Sequence, residues 1–406
     1  MNEHLRAQFP ILKKLIHGKP LIYFDSAATA QKPQVVIDAI CNFYTDSYGT
    51  VHRSIYSLAS CATIHYNRVR VQVKQFLNAA FEEEIIFTKG TTEGINLVAS
   101  SFGKAFIQPG DEILISTMEH HSNIVPWQIL AQEKGAILKI IPINDRGELI
   151  FEDYSCLLTK KTKIVSIAHI ANSTGTINPI AQIIKEAHAV GAYVLIDGAQ
   201  SASHMPIDVQ QLDADFYLFS GHKSYGPTGI GILYGKKHLL ERMPPYQTGG
   251  DMIAQVTLQS STYQLPPLKF ESGTPPIAEV IGLGEALIFI ESIGRNTIAA
   301  WEEELLLCAT KALLEIPGVQ IMGTATNKGA IISFTIEGLH PLDIGTLLDA
   351  RGIAIRTGHL CAQPTLQHFG HSAVCRISFG VYNTHEEIAL FIESLKDVIR
   401  ILKREL

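Results

Sequence analysis

The sequence predicts an α/β protein in which a mainly parallel sheet, covered by helices on both faces, is followed by a smaller α+β domain. Short apolar runs alternate with helix-length amphipathic stretches through the middle of the chain. The runs are apolar on both faces, which is typical of strands buried in a parallel sheet. After a Pro-, Ser- and Gly-rich segment at residues 260–276, long helical patterns become dominant.

The predicted strands follow one another in a regular order. In the first part of the chain they are "EEIIFT", "DEILIST", "AILKIIPI", "KIVSIAHI", "AYVLID" and "ADFYLFS". Helical patterns, "TTEGINLVASSF" and "NIVPWQILAQEKG", come after the first two. Beyond residue 276, two long helices are expected from "IAEVIGLGEALIFIESIG" and "IAAWEEELLLCATKALLEI", together with the strand "AIISFTI".

Length and composition narrow the class of protein. A chain of 406 residues exceeds what one hydrophobic core usually supports, so two domains are expected. The 33 Lys and Arg against 39 Asp and Glu give a net charge of −6, which does not favour nucleic acid as a partner. No apolar run approaches the roughly 20 residues of a membrane helix. The N-terminus has no signal-peptide pattern, and the cysteines form no CxxC pair, so we expect a cytoplasmic protein with no membrane partner.

Polar residues follow several predicted strands. Lys223, in "SGHKSYGPTGIG", comes directly after "ADFYLFS", and Asp197 ends the strand "AYVLID". Ligands of open α/β sheets bind beyond the carboxyl ends of the strands, so both side chains are candidates for a ligand site. Read alone, a lysine at this position is more often a solvated loop residue. An aspartate at a strand end is as often a cap of the next helix as a ligand-binding residue.

Two more loops carry residues that could complete the same ligand-binding site. In "KGTTEGINL", Gly90, Thr91 and Thr92 open a helix whose amides and hydroxyls suit a phosphate, although an ordinary threonine N-cap looks the same. His120, in "STMEHHSN", offers a flat ring that can stack on an aromatic one, although a structural histidine is the alternative. An amine nucleophile, an aspartate for a pyridinium, a phosphate cradle and a stacking ring together describe pyridoxal 5′-phosphate (PLP).

The motifs that carry these residues resemble those of a known family. "SGHKSYGPTGIG", "DGAQ", "GTTEGINLV", "RTGHLCAQP" and "CRISFGVYNTHEE" are similar to the cysteine desulfurases of the aminotransferase class V group, closest to the SufS type. The resemblance implies PLP-dependent transferase fold type I, with a seven-stranded mixed sheet. It also implies an N-terminal segment, residues 1–20, packed on the small domain, a large PLP-binding domain at 21–262, and a small domain at 263–406 with the catalytic cysteine loop.

The resemblance also implies roles for individual residues. Lys223 would carry the cofactor covalently, Asp197 would bind the pyridine nitrogen, and Gln200 the phenolic oxygen, while His120 would stack on the ring and move protons. The cofactor phosphate would be held by Thr91, Thr92, Ser220 and His222, and by Thr274 reaching in from the second subunit of a homodimer.

A cysteine in the C-terminal part decides the reaction. Cys361 lies in "IAIRTGHLCAQP", where Arg356 and His359 could favour its thiolate form, although a buried structural cysteine is the simpler interpretation. Arg376, in "AVCRISFG", can bind a substrate α-carboxylate in a bidentate manner, with support from Asn172; its alternative is a salt bridge to a nearby acid. Arg356 is also counted with the substrate-binding residues.

The implied activity is conversion of L-cysteine to L-alanine, with the sulfur left on Cys361 as a persulfide. By resemblance, a small acceptor protein then carries the sulfur to iron-sulfur cluster assembly. Relatives that use zinc-bearing, SufU-like acceptors tend to have a histidine where this chain has Leu342, so a SufE-like acceptor is favoured. Many relatives read RxGHHCA, whereas here the second histidine is Leu360, a change that could alter thiol activation or selenium preference without abolishing desulfuration.

Two kinds of alternative remain. A selenocysteine lyase or an aminotransferase would share the scaffold, and Cys361 discriminates between these and a desulfurase. A metal-binding module is the alternative from another class, because several candidate ligands lie close together in sequence: His359, Cys361, His368, His371 and Cys375. Their spacing matches no standard zinc pattern, so no metal site is expected.

Overall fold

The computed structural model describes residues 3–52 and 54–405 of the chain. The strands in chain order are β1 Leu15–Ile16, β2 Lys19–Pro20, β3 Ile22–Tyr23, β4 Ile85–Thr88, β5 Glu112–Ser116, β6 Ile137–Ile141, β7 Thr162–Ala168, β8 Tyr193–Asp197, β9 Phe216–Ser220, β10 Gly231–Gly235, β11 Ile253–Val256, β12 Ser261–Tyr263, β13 Val319–Met322, β14 Ile331–Ile336, β15 Ile353–Ala354, β16 Arg356–Gly358 and β17 Val374–Ser378. The α-helices are α1 Glu3–Arg6, α2 Gln34–Asn42, α3 Ser57–Leu77, α4 Thr91–Phe106, α5 Val125–Lys134, α6 Phe151–Leu157, α7 Ile180–Ala189, α8 Val209–Leu212, α9 Lys237–Arg242, α10 Ile277–Ile293, α11 Arg295–Leu314, α12 Pro341–Asp349, α13 Gln363–His368 and α14 His385–Glu405.

The central sheet has seven strands in the order β4-β10-β9-β8-β7-β5-β6. Strands β6, β5, β7, β8 and β9 run parallel to one another, whereas β10 is antiparallel to both β9 and β4. The seven-stranded, mainly parallel mixed sheet is therefore confirmed. Strand β10 is the one that the search for apolar runs left out, because it begins and ends with glycine.

Helices cover both faces of this sheet, which explains why its strands are apolar throughout. Alternate residues of β8 face opposite sides: Val194 and Ile196 belong to one core cluster with residues of α3 and α7, whereas Leu195 belongs to another with residues of α4 and α5. All of these side chains are fully buried. The alternation is what a parallel sheet with two covered faces requires.

A second, antiparallel sheet of four strands lies in the C-terminal part, in the order β13-β14-β17-β16. Its apolar face shares one core cluster with residues of α11, α12 and α14. This is the smaller α+β unit that the sequence predicts. It places β16, and the loop that follows it, next to β17.

The segments near the predicted domain boundaries contact both parts of the chain. Helix α10, which lies after the boundary predicted at residue 263, packs on α2 and α3. In the N-terminal segment, Phe9 packs edge-on against Tyr225 and Phe289 and also against Tyr382. The division into residues 1–20, 21–262 and 263–406 stays a prediction.

Within residues 3–52 and 54–405, none of the helices combines the length and the apolar character that crossing a bilayer requires.

A glycine lets β10 approach the turn before α4. Gly231 pairs with Thr88 across the β10–β4 ladder, and a Cβ added at Gly231 would lie 2.4 Å from the Cα of Gly90. Gly90 itself has a φ of +155°, a conformation that other residues rarely adopt. The turn and the strand can therefore touch only if both positions are glycine.

We predict that Gly231→Ala lowers the free energy of unfolding by about 1–3 kcal/mol, because the methyl group would force the two backbones apart. Urea denaturation measures the change. Gly250→Ala is the matched control, since a Cβ there meets nothing within 4 Å. Equal stability of the two variants would contradict the close approach.

Candidate active site

Loops from the carboxyl ends of the parallel strands meet around a cavity of about 290 Å³. The cavity is lined by residues that follow β4, β5, β7, β8 and β9 and by residues of the C-terminal part, from β16, β17 and the loop after β16. Twelve of the predicted site residues are in its wall: Thr91, Thr92, His120, Asn172, Asp197, Gln200, Ser220, His222, Lys223, Arg356, Cys361 and Arg376. The structure therefore brings together residues that are up to 285 positions apart, from Thr91 to Arg376.

Lys223 and Asp197 form the polar centre of the cavity. Lys223 lies in the 3-10 turn that follows β9, and Asp197 is the last residue of β8. Burial lowers the pKa of Lys223, and the nearby Asp197 only partly opposes this. Burial likewise raises the pKa of Asp197, against a backbone hydrogen bond from Ala199 N at 2.9 Å to its Oδ1. The carboxylate thus lies where a cationic ring nitrogen would compensate for its lost hydration.

The start of α4 provides a phosphate-sized site. Ser220 Oγ accepts a hydrogen bond from Thr91 N at 2.9 Å and lies 2.8 Å from Thr91 Oγ1. Thr92, in the same first turn, is exposed. His222 faces the cavity beside Lys223, and burial, with the charges of Lys223 and Lys32, lowers its pKa to about 4. The helix N-terminus and the two hydroxyls together suit an anion.

His120 is held with a fixed tautomer. Its Nδ1 accepts a hydrogen bond from Ser122 N at 3.1 Å, which leaves the proton of the neutral ring on Nε2. Burial, followed by the charges of Lys223, His121 and Arg376, lowers its pKa to about 3. The ring is therefore neutral in the cofactor-free site, because it is desolvated beside the cations of Lys223 and Arg376.

Behind His120 lies a buried carboxyl group that the sequence analysis missed. Glu119 is fully buried, and its two oxygens accept hydrogen bonds from Ser116 Oγ at 2.5 Å, Asn123 Nδ2 at 2.7 Å and Ala168 N at 2.9 Å. It ties the end of β5 to the end of β7 and so fixes the base on which His120 lies. A charged residue shortly after the apolar strand "EILIS" was the available signal.

The loop after β16 carries Cys361 to the mouth of the cavity. Leu360 and Cys361 have φ values of +56° and +53°, which is rare for two consecutive residues other than glycine. Leu360 is only 5% exposed, and it packs in a small cluster with Met322 and Leu366. Cys361 itself is partly exposed. The loop thus buries the residue before the thiol and leaves the thiol accessible.

Arg376 forms a salt bridge with Asp25, as the alternative interpretation of this arginine expects. Its Nη2 lies 3.0 Å from Asp25 Oδ1, and its Nη1 donates to Asn172 O at 3.0 Å. Arg356 lies opposite Arg376 in the β16–β17 register, so two cations face one carboxylate. Asn172 Nδ2 donates to Leu360 O at 2.7 Å. Asp25 was not anticipated from the sequence, because 351 positions separate it from Arg376.

Two further predictions meet different outcomes. Thr274 is exposed and is not in the wall of this cavity, so its predicted role, which depends on a second subunit, stays a prediction. Of the five residues in the metal-binding alternative, only His359 and Cys361 fall in a close group of possible ligands within the described part of the chain. The third member of that group is His121, and their ligand atoms lie within 4.8 Å of one another.

We predict that Glu119→Gln changes how stability depends on pH. Burial raises the pKa of Glu119 from 4.5 to about 7, so the folded protein binds a proton between these values that the unfolded chain does not bind. Relative to that of the variant, the free energy of unfolding of the wild type should rise by about 1.4 kcal/mol per pH unit as the pH falls from 7 to 4.5. Above pH 7 this gain is absent. Urea denaturation of the cofactor-free proteins at several pH values tests this, and parallel curves would contradict it.

Comparison with known proteins agrees with this geometry. A family profile described as "Aminotransferase class-V" matches residues 22–391. A "probable cysteine desulfurase" of Mycolicibacterium paratuberculosis is 51% identical over 97% of this chain, which spans 58% of that relative's length. A "cysteine desulfurase" of Dickeya dadantii is 48% identical over 98% of this chain and 97% of its own. The crystal structure of the cysteine desulfurase CsdA from Escherichia coli has a TM-score of 0.92 at 41% identity, covering 99% of both chains. The chain belongs to the aminotransferase class V family.

Proposed function

We propose that this chain is a PLP-dependent cysteine desulfurase, which converts L-cysteine to L-alanine and keeps the sulfur as a persulfide on Cys361. One observation carries the proposal: Lys223, Asp197 and Cys361 line the same cavity of about 290 Å³. The names of relatives that are 48% to 51% identical support it.

The residues present fit the cofactor. Asp197 is 6% exposed and takes only part of its stabilisation from Ala199 N, so a protonated pyridine nitrogen would satisfy it. Thr91, Thr92, Ser220 and His222 would hold the phosphate at the start of α4. Gln200, whose Nε2 donates to Ala27 O at 2.7 Å, would use its second amide hydrogen on the phenolic oxygen. When bound, PLP withdraws electrons from the α-carbon of the amino acid and so makes loss of the β-substituent possible.

Lys223 is suited to remove a proton from the substrate. Because burial lowers the pKa of its ammonium group, the neutral amine is reached more easily than in water. An amine released from the cofactor at that position can accept the α-proton. His120 contributes a neutral ring whose Nε2–H is a donor, and its flat face would stack on the cofactor.

The substrate carboxylate would bind between the two opposed arginines. Arg356 and Arg376 supply two positive charges against one from Asp25, which leaves a charge for a second carboxylate. The Nε of Arg376 is buried and has no partner among the described residues, so it is a free donor. The second amide hydrogen of Asn172 Nδ2 would add a further bond.

Cys361 would then take the sulfur. Its thiolate attacks the sulfur of the bound cysteine, so that an S–S bond forms as the C–S bond breaks. The electron pair of that bond stays with the carbon fragment, which takes up a proton and leaves as L-alanine. The net change balances: L-cysteine and a thiol become L-alanine and a persulfide.

We further propose a homodimer in the cytoplasm and a SufE-like acceptor that delivers the sulfur to iron-sulfur cluster assembly. The dimer is supported by large apolar side chains that are exposed in the single chain, among them Ile55, Tyr56 and Leu258. Thr274 would reach the phosphate site of the other subunit. Leu342 is 59% exposed on α12, and its apolar side chain cannot coordinate the zinc ion of a SufU-like acceptor protein.

We predict that Cys361→Ala reduces alanine formation from L-cysteine to near background and abolishes the persulfide, whereas the exposed Cys156→Ala leaves both unchanged. Purified protein is incubated with L-cysteine, and alanine and the mass of the Cys361 peptide are measured. Full alanine formation by the Cys361 variant would contradict the persulfide route. A requirement for a keto acid, with sulfur retained, would indicate an aminotransferase instead, and activity restricted to selenocysteine would indicate a lyase.

We predict that Arg376→Lys raises the KM for L-cysteine roughly tenfold or more, because a lost charge-assisted hydrogen bond costs about 1.5–3 kcal/mol. Steady-state kinetics measure the change. Arg351→Lys is the control, since that guanidinium donates to Leu347 O at 2.9 Å, outside the cavity. An unchanged KM would show that the salt bridge to Asp25 is the whole role of Arg376.

A further inference from the structure

His121 binds the cysteine loop at two points, at Cys361 itself and two residues after it, at Gln363. Its backbone N–H donates to Cys361 O at 2.8 Å, and its ring Nε2 accepts from Gln363 N at 3.2 Å. The preceding residue, His120, faces the cavity from the same turn after β5. One turn of the large sheet therefore fixes both the ring-stacking position and the loop that carries the nucleophile.

The hydrogen bonds also set the protons on the two imidazoles near the thiol. Because His121 Nε2 accepts a hydrogen bond, the proton of its neutral ring is on Nδ1. His359 Nδ1 accepts from Cys361 N at 3.0 Å, so the proton of that ring, when neutral, is on Nε2. Each ring therefore has one N–H group left after binding the loop.

His121, His359 and Cys361 would also be a reasonable ligand set for zinc, since one sulfur and two ring nitrogens lie within 4.8 Å of one another. A metal, however, needs an unprotonated ring nitrogen, and in both rings that nitrogen already accepts a loop N–H. Binding zinc would therefore break the hydrogen bonds that give the loop its shape. The observed pattern favours holding the loop over binding a metal.

We infer that His121 is a positioning residue for sulfur transfer: it holds the loop so that Cys361 Sγ faces the cavity. This inference rests on the proposed function. Lys223, the group that would remove the α-proton, lies on a different loop, in the turn after β9. Loss of the His121 ring should therefore affect the sulfur step and spare the proton step.

The experiment uses a matched pair of variants of the full chain with cofactor. The amide of His121→Gln reaches the position of Nε2 and can still accept from Gln363 N, whereas the shorter His121→Asn cannot. His368→Gln, on the exposed part of α13, is the control. Exchange of the α-hydrogen of L-alanine in heavy water reports the proton step, which needs no thiol, and mass spectrometry reports persulfide formation on Cys361.

We expect His121→Asn to slow persulfide formation about 10- to 100-fold with α-hydrogen exchange close to wild type, since small misplacements of reacting groups cost this much. His121→Gln should recover most of the loss. Unchanged persulfide formation in the Asn variant, or equal loss of both steps, would overturn the inference, as would zinc binding that requires His121. If the wild type exchanges the α-hydrogen but forms no persulfide, the proposed desulfurase function itself fails.

Discussion

The site depends on a loop of the four-stranded sheet lying across the carboxyl ends of the seven-stranded sheet. Hydrogen bonds hold it there, among them those from His121 N to Cys361 O, from Asn172 Nδ2 to Leu360 O and from Gln363 N to His121 Nε2. Each contributes only about 1 kcal/mol, but breaking the buried bond from Asn172 would leave polar groups without partners, which costs more. These contacts make one cavity from two separately packed cores.

Burial gives the cavity a common electrostatic character. Desolvation lowers the pKa of Lys223, His120 and His222, and it raises that of Asp197 and Glu119. Every shift favours the neutral form, because the crevice has lost much of the water that stabilises charge. An anionic or cationic group brought in by a ligand therefore interacts with these side chains more strongly than it would in solvent.

The sequence could predict those parts of the fold and site that depend on local patterns. Strands apolar on both faces identified the sheet, and polar residues at strand ends, such as Lys223 and Asp197, identified its functional edge. The family motifs then pointed to Cys361. What could not be predicted depends on contacts between distant segments. Asp25 meets Arg376 only because the segment after β3 bridges the end of β17 at Ser378, and nothing near either residue in sequence indicates the pair.

The left-handed backbone at Leu360 and Cys361 limits how far the Cys361 thiol can move. Such conformations cost about 1–3 kcal/mol per residue, and the burial of Leu360 among Met322, Ala362 and Val374 helps to offset this. Peeling the loop outward would expose that leucine and break the bonds to its neighbours. The thiol's range is therefore set by rotation of its own side chain, and a disulfide-type bond spans only about 2.05 Å. In the proposed reaction, an acceptor would therefore have to insert its own reactive group into the mouth of the crevice, because the Cys361 thiol stays where it is.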